Sequence, residues 1–338
     1  MEINNTSCAL SFDSIIGQRN IVERLKNSVK YNRLGHAYIF SGPKGIGKKT
    51  VARIFANMIL CENPLESSGC GKCLSCRLFA GGNNPDFYII DGNGASISVD
   101  DIRDMQNDIA VKPLYSRKKV YLIIDGENMT VQAQNCLLKT LEEPPEYGVI
   151  IITAVNCDTL LDTVCSRCVN YSFTKNSPEE IQEFLETRIG RSKVCTDMQF
   201  IIKYSDGIIG TALELAMSDD FASLRDSIVD IVLELDRSDR VKFFDICEFF
   251  KDKKDIIDRL LDIMTLIYRD IAVYLSCGKE NMLINLDKRN KIISAASRFT
   301  VERAVKNIDI IESLRRSIKQ NANFQLAIET MIIRLRED

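Results

Sequence analysis

The sequence has no apolar run near the roughly 18 residues that a membrane-spanning helix needs, so no membrane span is expected. It has no strong charge of either sign. A formal net charge of −3 excludes a polycation built to coat nucleic acid, and leaves DNA contact to a local patch or to partners. The start, Met1-Glu2-Ile3-Asn4-Asn5, lacks the basic and apolar regions of a signal peptide. His36 is the only histidine, and it reads as a packed or hydrogen-bonded residue rather than a catalytic one. There is no internal repeat and no low-complexity tract. What remains is 338 residues, 45% apolar and 27% charged, enough for two or three ordinary globular domains. Twelve cysteines without a secretory signal point to a reducing cytosol, with thiols used for metal or packing.

The first half alternates short β-rich runs with helical segments. Strands are expected at Ala37–Phe40, Phe87–Ile90, Val120–Ile124, Val149–Thr153 and Val169–Phe173. Helices are expected at Lys48–Leu60, at Val99–Val111 behind an N-capping Ser98 with Asp101 in its box, and at Val131–Glu143 before Pro144-Pro145. Near-continuous apolar strands with helical crossovers predict an α/β domain, a parallel sheet covered on both faces. Ser177-Pro178-Glu179-Glu180 opens a helix, and no strand pattern recurs after it. Three short helices to about residue 220 and then an all-helical segment are expected, with boundaries near Asp219–Asp220 and Arg237–Arg240. Leu260, Leu261, Met264, Ile267, Ile271 and Leu275 recur at helical spacing and read as helix core, with subunit contact as the minority reading.

Gly42-Pro43-Lys44-Gly45-Ile46-Gly47-Lys48 sits between a strand and a helix, the setting of a phosphate-binding loop. Glycines let backbone amides close around phosphates, and the helix N-terminus adds its dipole. Lys48 would reach the β- and γ-phosphates. The next position normally carries a Mg²⁺-ligating hydroxyl, and here it is Lys49. Thr50 lies about 100° further around the helix and should not replace it. Val120-Tyr121-Leu122-Ile123-Ile124-Asp125 is an apolar strand ending in an acid suited to Mg²⁺, but Gly126 follows where a water-polarising glutamate would stand. Glu127, by strand alternation, should point elsewhere. Two damaged elements argue against efficient hydrolysis. ADP or ATP binding would be weak, metal-free or absent.

Cys61, Cys70, Cys73 and Cys76 form a C-x8-C-x2-C-x2-C pattern. Four thiolates suit a tetrahedral structural Zn²⁺. An iron–sulfur cluster and free thiols are the alternatives. Cys165-x2-Cys168 has no partner pair and reads as packing. The knuckle has few bases, Lys72 and Arg77, which disfavours a DNA-binding module built on it.

Several segments together resemble the AAA+ clamp-loader subunits of bacterial DNA polymerase III. Phe12-Asp13-Ser14-Ile15-Ile16-Gly17-Gln18 is similar to the family's N-terminal box beside the adenine, and Gly35–Pro43 to its entry into the phosphate loop. The cysteines match its inserted zinc module, Asn135–Pro145 its most specific segment, and Ser166-Arg167-Cys168 the motif of its arginine finger. The resemblance covers most of the first 220 residues and is looser beyond, mainly at Asn321–Leu335. It implies an AAA+ domain over 1–173 with the zinc module at 61–76, a helical lid over 174–220 and a helical collar over 221–338. It also implies gamma/tau and delta subunits as partners in a pentameric ring, and the sliding clamp and primed DNA as targets of the assembled loader. The location implied is the bacterial cytoplasm. The family's motor subunits carry an arginine in the lid segment, and in Ser205-Asp206-Gly207-Ile208-Ile209-Gly210-Thr211-Ala212 that position is Gly210. Changed residues at 49, 126 and 210 beside a preserved Arg167 resemble the family's non-motor subunit, with a gamma/tau-type ATPase as the alternative.

Overall fold

In a computed structural model the described residues are 11–92, 94–190, 197–235 and 240–336. The signal-peptide reading of Met1–Asn5 and most of the boundary near Arg237–Arg240 therefore lie outside them. Two compact units partition the chain: Met1–Phe184 with Asp206–Thr211, and Leu185–Ser205 with Ala212–Asp338.

The first unit is built on five parallel strands: β1 (Ala37–Ser41), β2 (Phe87–Asp91), β3 (Lys119–Ile124), β4 (Gly148–Ala154) and β5 (Val169–Ser172), in the order β2-β3-β4-β1-β5. The helices are α1 (Arg19–Lys30), α2 (Lys48–Leu60), α3 (Leu74–Ala80), α4 (Val99–Ile109), α5 (Val131–Glu142) and α6 (Asp162–Cys165). The inner strands carry apolar residues on both faces because both faces are covered. Tyr38, Phe40, Leu122 and Ile151 pack one way, onto Leu25 of α1 and Phe55 of α2. Ala37, Ile39, Ile123 and Ile152 pack the other way, onto Ile102 of α4 and Leu137 of α5. Ser98 and Asp101 complete a reciprocal capping box at the start of α4, as their spacing predicts. His36 departs from its reading: the side chain is exposed, and only its carbonyl is engaged, by the Ile150 amide.

Beyond β5 there are no further strands among the described residues. Helices α7 (Pro178–Arg188), α8 (Met198–Ser205) and α9 (Ile209–Met217) follow. Ser177 and Glu180 cap α7 reciprocally, at 3.0 and 3.2 Å. Then come α10 (Asp219–Glu234), α11 (Arg240–Asp252), α12 (Ile257–Cys277), α13 (Arg289–Ala296), α14 (Val301–Lys319) and α15 (Phe324–Arg336). In the second unit α12 is the central helix, packed by α10, α13 and α14. Leu260, Leu261, Met264, Ile267 and Ile271 are buried in it, the core role that their spacing predicts, whereas Leu275 is half-buried. Arg225 is buried, stacks over Phe200 and donates to Asn285 and Asp287. Buried Asp270 accepts from the Ile284 and Asn285 amides. These contacts tie the Asn285–Asp287 turn onto the helices. Among the described residues no helix is long and apolar enough to cross a membrane.

Candidate functional site: a phosphate loop, a thiol cluster and an arginine

The phosphate loop joins the carboxyl end of β1 to the first turn of α2. Lys48 is buried, and its ammonium donates to the carbonyls of Gly42 at 2.5 Å and Pro43 at 2.9 Å. Burial pulls its pKa below the usual lysine range, opposed by the charges of Asp125 and Glu127. Lys49 turns outward and pairs with Asp91 at the end of β2, 3.6 Å away. Thr50 is exposed. Asp125 closes β3 in the left-handed region, φ 50°, with its amide donating to Thr153 Oγ1 at 3.0 Å. That turn breaks strand alternation. Glu127 therefore does not simply point away: its Oε2 accepts from the Val155 amide at 3.2 Å and its charge acts on Lys48.

Two of the three altered positions are set by packing. A Cβ on Gly126 would lie 2.6 Å from Ile152 Cγ2, in the core between β3 and β4. A Cβ on Gly210 would lie 2.8 Å from the Gly45 carbonyl oxygen and 2.9 Å from Gly45 Cα. Neither site accepts a larger side chain without movement of its neighbours. The fit to a nucleotide is poor in this state, because Lys48 is engaged by the loop's own carbonyls and Gly210 lies directly on the loop. Beside the N-terminus of α1 a cavity of about 430 Å³ is lined by Gln18, Arg19, Thr174, Asn176 and Glu180, among others.

Cys61, Cys70, Cys73 and Cys76 converge, their sulfurs all within 4.8 Å of one another. Cys61 caps the C-terminus of α2 and Cys73 the N-terminus of α3, so two helix ends hold opposite sides of the cluster. Cys61–Cys73 and Cys70–Cys76 Sγ pairs are each 4.0 Å apart. A tetrahedral zinc with bonds of about 2.3 Å sets its sulfurs about 3.8 Å apart, so the donor set fits. The amides of Cys70, Cys73 and Cys76 donate to the sulfurs of Cys61, Cys70 and Cys73. The Cys73 and Lys72 amides pull the Cys70 thiol down to about 6, while burial pushes Cys61 and Cys76 up. A cation at the centre would favour ionisation of all four. Cys165 and Cys168 instead pack into the α5 face, and burial pushes Cys168 up to about 12, as suits packing thiols.

Arg167 follows α6, two residues before the start of β5. Its guanidinium donates to the Thr163 carbonyl at 2.9 Å and to Glu142 Oε1 at 2.7 Å, and the side chain is 35% exposed. Because β1 and β5 are parallel, with Tyr38 opposite Val169 and Ser41 opposite Ser172, Arg167 lies at the amino end of the sheet and the phosphate loop at the carboxyl end. About four residues of strand, roughly 13 Å, separate them. Sequence reasoning assigned no role to Glu142, nor to Asn176 against the lid segment. Nothing in their local spacing signals contacts made across the fold.

A parallel five-stranded sheet with a glycine loop after β1, an acid closing β3, and helices behind it defines a P-loop domain of the AAA+ class. The chain belongs to the DNA polymerase III delta-subunit family. Residues 17–177 match the family model described as DNA polymerase III, delta subunit, and residues 223–337 the model of its C terminal. The chain is 30% identical to DNA polymerase III subunit delta' of Bacillus subtilis (strain 168), across 95% of this chain and 96% of that protein. DNA polymerase III subunit gamma of Buchnera aphidicola subsp. Acyrthosiphon pisum is 35% identical, but over 60% of this chain and 57% of its own length. A solved DNA polymerase III gamma subunit-related protein of Thermotoga maritima shares the fold, with a TM-score of 0.52 and 21% identity over 93% of this chain and 98% of that one.

Proposed function

We propose that this chain is the non-motor, delta' subunit of a bacterial cytoplasmic clamp loader, and that Arg167 acts on nucleotide held by a neighbouring subunit. The observation that carries the reading is the position of Arg167 before β5, at the far end of the sheet from its own phosphate loop. From there the side chain cannot serve its own loop, and it is partly exposed. A guanidinium is suited to charge developing on a γ-phosphate across an interface. Glu142 and the Thr163 carbonyl hold its guanidinium in place in the isolated chain.

Its own loop contributes little chemistry. With Lys49 in place of a hydroxyl, Mg²⁺ keeps Asp125 but loses one usual ligand, and with a packed Gly126 where a glutamate would stand the attacking water lacks its polarising group. Nucleotide binding there is weak or absent, and the gamma/tau-type motor reading finds no support in this geometry. The four cysteines hold a structural zinc. The proposed organisation is an AAA+ domain over 1–173, a lid over 174–220 and a collar over 221–338. The partners are gamma/tau and delta subunits in a pentameric ring, which brings the chain to the sliding clamp and primed DNA.

The test is ATP hydrolysis by the folded chain alone and by the reconstituted loader carrying Arg167→Ala. The expected result is no turnover alone, and a loss of up to about 10³-fold at the one site that Arg167 faces. Unchanged turnover in an assembled loader overturns the assignment of Arg167. DNA-stimulated turnover by the isolated chain overturns the non-motor reading.

A further inference from the structure

We propose that Gly45 and Gly210 form a backbone latch that holds the phosphate loop shut, so that a nucleoside phosphate enters only when the Asp206–Thr211 segment lets go. The Gly210 amide donates to the Gly45 carbonyl at 2.8 Å. The two backbones touch so closely that any Cβ on residue 210 overlaps the loop. The approach is reciprocal. Gly45 has φ +77°, and a Cβ there would lie 3.0 Å from Ile208 Cγ2 and 3.6 Å from Gly210 Cα. Two glycines in contact are what such an approach requires. Gly210 is thus more than the absence of an arginine: the absent side chain makes room for the latch.

The segment is anchored at its other end as well. The Asn176 amide and side-chain Nδ2 donate to the Gly207 carbonyl at 2.9 and 3.1 Å. Gly207 has φ +78°, and a Cβ on it would lie 2.5 Å from the Asn176 carbonyl oxygen. Lys175 pairs with Asp206. Asp206–Thr211 therefore crosses to the loop as a strap fixed at both ends. Inside the loop, the Lys48 ammonium is satisfied by the Gly42 and Pro43 carbonyls. A phosphate must displace both of these bonds as well as loosen the strap, so the closed state competes directly with the ligand. Lys175 and Asn176 also line the cavity beside α1, so a group entering it bears on the anchor of the strap. This inference does not depend on the role of Arg167.

The experiment uses the full chain without partners. Binding of a fluorescent ADP is titrated, with and without Mg²⁺, for the wild type, Gly210→Ala and Asp206→Ala. Amide exchange is followed over the peptide that contains Gly210. Asp206→Ala removes one exposed partner of an ion pair, so it tests the strap even where Gly210→Ala fails to fold. The expected result is a protected Gly210 amide in nucleotide-free wild type. ADP should bind about 3- to 10-fold more tightly to Gly210→Ala, the value of one hydrogen bond, and a few-fold more tightly to Asp206→Ala. Equal affinity in all three chains, no binding by any of them, or an unprotected Gly210 amide in the nucleotide-free wild type overturns the latch.

Discussion

The guanidinium of Arg167 lies 2.7 Å from the carboxylate of Glu142, a residue 25 positions earlier on the last turn of α5. Both side chains are partly exposed, so the pair is worth at most about 1 kcal/mol in stability. Its consequence is orientation. In the proposed role, a long side chain already held in one rotamer would lose less entropy on meeting a neighbour's phosphate. Glu142→Ala should leave the unfolding midpoint nearly unchanged and lower loader turnover a few-fold, less than Arg167→Ala does. Added to Arg167→Ala it should have no further effect. A Glu142→Ala loader with wild-type turnover would show that the Thr163 carbonyl alone is enough to hold the arginine.

Gly126 illustrates how packing locks in a changed catalytic position. A Cβ there would lie 2.6 Å from Ile152 Cγ2 and 3.4 Å from Leu160 Cδ2. Gly126→Glu should therefore destabilise the chain by about 1–3 kcal/mol through overpacking, with a further penalty if the carboxylate stays buried. It should give no ATPase. Denaturant unfolding reads the first expectation and steady-state hydrolysis the second. Recovery of turnover would mean that the position is vacant rather than filled.

Asp108 at the end of α4 predicts a pH dependence. It accepts from Lys119 Nζ at 2.8 Å and from Tyr121 Oη at 2.5 Å, and Lys119 is only 4% exposed. Burial would raise the Asp108 pKa. The hydrogen bonds from Lys119 and Tyr121, with the lysine's charge, outweigh it and bring the value below the ordinary 3.8. A carboxylate depressed on folding stabilises the native state above the unfolded pKa, and that stability is lost as pH falls through the folded value. Asp108→Asn should cost about 1–3 kcal/mol at pH 7, since it takes the countercharge from a buried ammonium. The gap between variant and wild type should close below about pH 4. A gap that stays constant to pH 3 would remove the ion pair as its cause.

How far the sequence was legible follows the range of each interaction. Lys48–Leu60 forms a helix with the bounds that its pattern predicts, and the Ser98 and Ser177 capping boxes close as their spacing requires, because these are contacts within one turn. The five strands fall within a residue or so of their apolar runs; burial on both faces imposes those runs on β1, β3 and β4, whereas the edge strands β2 and β5 are more exposed. The alternation argument failed at Glu127, where a left-handed Asp125 resets the direction of the chain. The Gly45–Gly210 contact and the Glu142–Arg167 pair were invisible, since each joins residues that only the folded topology brings together. Gly210 could be read as a missing arginine, but its steric role comes from Gly45, which only the fold brings against it.

The thiol cluster gives the last expectation. Four sulfurs within 4.8 Å would not stay close if ionised, and amide donors offset only part of that charge. A divalent ion would resolve the repulsion and join the end of α2 to the start of α3. Metal analysis of chain purified without chelator should find about one zinc per chain, and Cys73→Ser should lose most of it. Iron with acid-labile sulfide would favour a cluster instead, and no metal at all would leave packing thiols. The effect of removal should be local. Asn84 donates to the Ser75 carbonyl and hydroxyl, and Asp86 accepts from the Leu114, Tyr115 and Ser116 amides, so the far side of the knuckle keeps its own ties to the sheet. Chelation should therefore speed amide exchange across 61–76 and leave β1 and β4 protected. Loss of protection throughout the sheet would mean that the metal supports the whole domain rather than one insertion.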